Sequence, residues 1–153
     1  MRTISVSLPV RNLHASRAFF AELGLRFSAA LSGDEIACMI VDQNVSVLLV
    51  AEDRFRDCAD GEIRQTATAA GFVTGLPAGS EQEVDETVAK AIAAGGKPWP
   101  ILEERPVHSG SFRDLDGRVW AAHLPAATTA RDGGARKTQH HDELKIRYSQ
   151  GQT

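Results

Sequence analysis

The sequence is poor in several things that would narrow its role. It has two cysteines, Cys38 and Cys58, which form no CxxC pair and cannot build a disulfide framework. Cys38 lies in the apolar stretch Ile36–Val41 and reads as a buried, inert thiol, whereas Cys58 lies in a charged segment and reads as exposed. There is no excess of positive charge, since the formal net charge is -3, so nucleic acid is not an expected partner. No apolar run approaches the roughly 20 residues of a membrane helix, so no membrane partner is expected. The segment Met1–Val10 alternates polar and apolar residues and lacks the unbroken apolar stretch of a signal peptide, which predicts a cytoplasmic protein. Also missing are a GxSxG nucleophile elbow, a P-loop and a dinucleotide-binding glycine fingerprint.

What remains is an ordinary globular balance. Of 153 residues, 42% are hydrophobic and 24% charged, which suits one domain with a real core. Ile4, Val6, Leu8 and Val10 alternate with Ser5, Ser7 and Pro9, the pattern of a half-buried strand. Asn12 follows as a helix N-cap, and Ser16, Phe19, Phe20 and Leu23 trace one helical face that Gly24 terminates. Leu25–Ala30, Glu35–Val41 and Val45–Val50 read as three strands with turns between them. The order is β-α-β-β-β.

After a polar connector with room for a short helix, the order repeats. Gly71–Ala78 is strand-like, Ser80 and Glu83 form a capping box, and Val84, Val88 and Ile92 mark a helix stripe that ends at Gly95-Gly96. Pro98–Leu102, Val107–Phe112 and Arg118–Leu124 are three more strand candidates, with Asp114-Leu115-Asp116-Gly117 as the turn before the last. Leu8 overlays Leu76, Gly24 overlays Gly95, and Val45–Leu49 overlays Arg118–Ala122. A repeat of this length implies two units that complete one another. The expected fold class is α+β, two βαβββ modules in one domain over 1–125. Module one covers about 1–50, a connector 51–69, and module two 70–125. Residues 126–153 form a polar tail of net charge +2, read as disordered or loosely docked.

Three motifs carry a resemblance. Leu8-Pro9-Val10-Arg11-Asn12-Leu13-His14-Ala15-Ser16-Arg17-Ala18-Phe19-Phe20 matches "LxVxDLxxSxxFY", Leu23-Gly24-Leu25 follows the helix, and Ser111–Trp120 matches "FxDPDGxxxE". In this order the chain resembles the vicinal oxygen chelate superfamily, the glyoxalase and bleomycin-resistance type. The resemblance spans about residues 3 to 124. It implies a half-barrel cleft, a homodimer with clefts shaped by both chains, and in metal-using members four ligands on the first and last strands of each module.

Carried over one at a time, those four positions fall on Ser5, at or next to Leu48, Val73 and Ala121. None offers imidazole, carboxylate or thiolate. The expectation is therefore no metal and no cofactor. His14 reads as solvated, and His140-His141-Asp142-Glu143 as a solvated run. His108 and His123 are candidates to line the cleft, and Arg113, Asp114 and Asp116 read as fixing a turn. Trp99 and Trp120 read as core or interface residues. The expected ligand-binding residues are Ser5, Ser7, Leu48, Val73, His108, Ala121 and His123, facing a small organic molecule. The alternative expectation is a lyase, isomerase or dioxygenase with non-standard metal donors or metal-free acid–base catalysis by His108 or His123.

Overall fold

The computed structural model of the chain describes residues 2–58, 73–100 and 109–125. Strand β1 runs Ile4–Val10 and helix α1 runs Leu13–Glu22. Asn12 caps α1 by accepting a hydrogen bond from the Ala15 amide at 3.0 Å, which satisfies one of the helix's free N–H groups. Ser16, Phe19, Phe20 and Leu23 are all buried, so the 3.6-residue stripe is the packed face. Gly24 follows at φ +89°, a conformation that a Cβ would penalise. Strands β2 (Arg26–Ser28), β3 (Ile36–Asp42) and β4 (Val45–Ala51) complete the first unit, with sheet order β1-β4-β3-β2. A short helix, α2 (Glu52–Cys58), begins the connector.

The second unit repeats the pattern with β5 (Val73–Pro77), α3 (Glu81–Ala93), β6 (Lys97–Pro98), β7 (Ser109–Arg113) and β8 (Val119–His123), in sheet order β5-β8-β7-β6. In each sheet the first and last strands of the unit pair in parallel, Leu8 opposite Leu49 and Leu76 opposite Ala122. This is an α+β fold of two βαβββ units.

Two local expectations change. Ser80 accepts from the Glu83 amide as a capping box requires, but the Glu83 carboxylate reaches the Gly79 amide at 2.6 Å, one residue earlier than the motif implies. Ile92 is 38% exposed, and the buried face of α3 instead carries Val84 and Ala91. Helix α3 approaches its sheet closely at Gly110, Ala78 and Ala122. A Cβ on Gly110 would stand 2.7 Å from Val88 Cγ2, and Ala78 and Ala122 pack against Val84 at the same contact.

The two units share one core. The buried cluster takes Leu8, Val10, Phe19, Phe20, Met39 and Leu49 from the first and Leu76, Ala91, Phe112 and Trp120 from the second. Phe20 meets Trp120 edge-on at 4.9 Å, and Phe19 lies 6.1 Å from Phe112. Each fully buried aromatic contributes roughly 1.5–3 kcal/mol of hydrophobic stabilisation, and the ring pairs add about 0.5–1.5 kcal/mol. Within one chain, then, α1 packs against aromatic residues of the other half. Trp120 is a core residue; Cys38 is buried as expected.

The turn before β8 is fastened to the other unit. Asp116 accepts from the Arg11 amide at 3.0 Å and from Arg11 Nε at 3.2 Å, and Arg11 Nη2 donates to the Leu115 carbonyl at 2.6 Å. Arg118 donates to the Pro9 carbonyl. The motif around Asp114 and Asp116 therefore clasps the β1–α1 junction, a longer reach than the local turn expected of it.

Candidate ligand-binding faces

Period-two alternation gives each sheet a face toward the helices and a face away from them. In the first sheet Val6, Leu8, Val47, Leu49, Ala37 and Met39 belong to or pack on the core with α1. Their neighbours Ser5, Ser7, Ser46, Leu48 and Ile40 point the other way. The register sets Ser5 opposite Ser46 and Ser7 opposite Leu48. The hydroxyls of Ser5 and Ser46 are 2.8 Å apart and hydrogen-bonded. Ser5 and Ser7 are exposed and Leu48 is half-buried.

In the second sheet Leu76, Trp120, Ala122 and Phe112 face the helices. Val73, Gly75, Val119, Ala121, His123, Ser109, Ser111 and Arg113 alternate onto the far face. The register pairs Gly75 with Ala121 and Ser109 with His123. Val73 is 54% exposed. His123 is half-buried, and its Nδ1 lies 3.0 Å from the Leu124 carbonyl. Trp99 lies beside Ser111, whose hydroxyl donates to the Trp99 carbonyl. The Arg113 guanidinium stacks on the Trp99 ring at 3.8 Å and reaches the Gly117 carbonyl at 3.5 Å.

Ser5, Ser7 and Leu48 thus lie together on one face, and Val73, Ala121 and His123 on another. His108 lies outside the described residues, as do His140, His141, Asp142 and Glu143 and the side chain of Cys58. His14 is exposed in the first turn of α1. Sequence reasoning passed over Ser46, although its alternation with Leu48 and Val50 placed it on the same face. It also treated Trp99 and Arg113 separately. Their stacking depends on β6–β7 pairing, which no local pattern specifies.

The chemistry on these faces is hydroxyl, apolar and imidazole. The sequence expectation set the four ligand positions at Ser5, at or next to Leu48, at Val73 and at Ala121. Those side chains do not fit a divalent ion, because the set contains no imidazole, carboxylate or thiolate donor. Among the described residues, no group of three His, Cys, Asp or Glu side chains comes together that could hold a metal. Among the described residues, a titratable group with a clear shift lies elsewhere. Asp114 is buried in the core beside Trp120, and burial pushes its carboxyl above the usual range. Hydrogen bonds from Trp120 Nε1 and from the Arg118 and Asp116 amides, with the Arg118 charge, pull it back only in part.

Solved structures with the same arrangement include a glyoxalase-related enzyme from Fulvimarina pelagi, at TM-score 0.68 and 17% identity, covering 82% of this chain and 88% of that one. A glyoxalase/bleomycin resistance protein/dioxygenase family enzyme from Burkholderia phytofirmans PsJN superposes at TM-score 0.64 and 17% identity, over 81% of this chain and 98% of that one. The chain has the glyoxalase/bleomycin-resistance fold. The genomically encoded fosfomycin resistance protein FosX from Listeria monocytogenes shares this fold at TM-score 0.58 and 16% identity, over 82% of this chain and 92% of that one. No protein-family model matches the sequence. No curated protein matches it either. Identities this low carry the fold and leave the chemistry of the glyoxalase-like faces to their own residues. Among the described residues, no helix is long and apolar enough to cross a membrane.

Proposed function

We propose that this protein is a metal-independent member of the glyoxalase/bleomycin-resistance type that binds a small organic molecule. The reading is carried by the residues on which the resemblance to metal-using members sets the four donor positions, Ser5, Leu48 or its neighbour, Val73 and Ala121, none of them a metal donor. A face of hydroxyls and small apolar side chains suits an organic ligand held by shape and a few hydrogen bonds. Ser5, Ser7, Leu48, Val73, Ala121 and His123 are the proposed contacts, with His108 as a further candidate.

The protein acts as a homodimer in this reading. β1 and β5 each stand at an edge of a separate sheet, and Ile4 and Val73 on them are 63% and 54% exposed. A second copy brings the β1 edge of one chain to the β5 edge of the other and closes a cleft between unlike faces. Pairing of open edges satisfies backbone groups that an isolated sheet leaves to water.

Native mass spectrometry of the purified protein, with elemental analysis, tests the reading. The expected result is a dimer that carries no stoichiometric metal and takes up small organic ligands. Stoichiometric Ni, Zn, Mn or Fe would overturn the metal-independent reading and favour a metal-using lyase, isomerase or dioxygenase. A monomer at micromolar concentration would overturn the shared cleft.

A further inference from the structure

The imidazole of His123 is held in one orientation by two features. Its Nδ1 lies 3.0 Å from the Leu124 carbonyl oxygen, and a carbonyl can only accept, so this bond assigns the ring proton to Nδ1. Its other nitrogen, Nε2, lies over Gly75 on the neighbouring strand. A Cβ built on Gly75 would stand 2.9 Å from Nε2, so the missing side chain makes room for the ring. In the neutral ring Nε2 then carries a lone pair and no proton. Among the described residues it makes no hydrogen bond.

Among the described residues, the rest of the face is almost without charge. Its near neighbours by register are Ser109, Ser111, Ala121 and Pro77. Among the described residues the cationic side chain on the same face is Arg113, which is stacked on Trp99 and bonded to the Gly117 carbonyl at the opposite end of β7. An acceptor nitrogen in a hydroxyl-lined apolar setting complements a proton donor on an uncharged ligand. It does not complement a carboxylate or phosphate, whose lone pairs would face its own.

From this we infer that His123 Nε2 is a preset hydrogen-bond acceptor that selects uncharged organic ligands bearing a hydroxyl group, such as phenols, enols and alcohols. The inference rests on the proposed binding function and names its ligand class. A site arranged to accept from a hydroxyl discriminates against the same molecule with that hydrogen removed. One hydrogen bond of ordinary net strength corresponds to a discrimination of about five- to tenfold.

Two measurements test it. The first needs no ligand: ¹⁵N NMR of the imidazole side chains in the full-length protein. The expected spectrum for neutral His123 has a protonated Nδ1 and a bare Nε2. A protonated Nε2 overturns the inference. The second compares 2-naphthol with 2-methoxynaphthalene by titration. The naphthol is expected to bind about five- to tenfold tighter, with the difference lost in His123→Phe and kept in His123→Gln. Gly75→Ala, which displaces the ring tip and leaves the backbone in place, should also erase the difference while thermal melting remains near that of the parent. Equal binding of both naphthalenes overturns the choice of ligand class and leaves the binding reading standing. Binding of neither overturns the binding reading itself.

Discussion

The indole Nε1–H of Trp120 donates to Asp114 Oδ2 at 2.8 Å, in the core between the two units. The other carboxylate oxygen accepts from the Asp116 and Arg118 amides, both at 2.9 Å. One side chain thus closes the β7–β8 turn and satisfies the buried indole of the residue that packs on Phe20. Asp114→Asn keeps one oxygen for the turn but sets an NH₂ against the indole N–H. An unsatisfied buried donor costs about 1–3 kcal/mol. We expect that loss in urea unfolding, and expect Trp120→Phe in the same background to recover part of it.

The same carboxyl gives a pH dependence of uncommon sign. Burial raises the folded-state value of Asp114 above the unfolded one. The folded state then binds the proton more tightly than the unfolded state does. Its contribution is fully present below the ordinary carboxylate value of about 4 and is lost as pH rises through the folded value. The stability advantage of the parent over Asp114→Asn should therefore shrink as pH rises from about 3.5 through the folded value. A difference that grows over that range would contradict the direction assigned here.

The clasp between units is unequal at its two ends. The Asp116 side chain is 9% exposed and the Arg11 side chain 65% exposed. Asp116 also accepts from Ser16 Oγ at 3.4 Å and lies 3.8 Å from Arg118 Nη1. Removing the buried acceptor strands several donors, so Asp116→Ala should cost about 1–3 kcal/mol. Arg11→Ala trims a solvated partner and should cost less than about 1 kcal/mol. Chemical denaturation of the two variants checks the order. Equal losses would mean that the clasp is carried by the Arg11 side chain.

Gly96 sits where backbones meet. A Cβ there would lie 2.8 Å from both the Ala91 and the Arg113 carbonyl oxygens and 3.2 Å from Phe19. Backbone atoms cannot move aside as a side-chain tip can, so Gly96→Ala should destabilise by about 1–3 kcal/mol. Gly33→Ala, with nothing within 4 Å of the new methyl, is the control and should change stability by less than about 0.5 kcal/mol.

Phe20 tests whether the chain melts as one body. It is buried in the cluster shared by both units. Phe20→Ala should cost about 3–5 kcal/mol. Because the cluster spans the units, far-UV and near-UV circular dichroism should report the same lowered midpoint. Two separated transitions would show that the units fold independently.

Much was legible in the sequence because it is written in local periods. The alternation of Ile4–Val10, the stripe Ser16–Phe19–Phe20–Leu23, and the caps at Asn12 and Ser80 depend on backbone geometry repeating every two or 3.6 residues. Those signals survive in any tertiary setting. Ile92 was misread because periodicity names a stripe but not its edge. The depth of α3 against Gly110 and Ala122 decided that Ala91 would be buried and Ile92 not.

The same division holds at Ser5, Leu48, Val73 and Ala121. The side chains there are hydroxyl or apolar by residue type, which the sequence alone determines. What only the tertiary structure decided was what lies beside them: the Ser5–Ser46 hydroxyl pair, the Trp99–Arg113 stack, the Asp114–Trp120 bond and the ring of His123 over Gly75. Each joins residues through strand register or turn geometry. Register is set by the packing of whole sheets against α1 and α3, and no short window of sequence contains it.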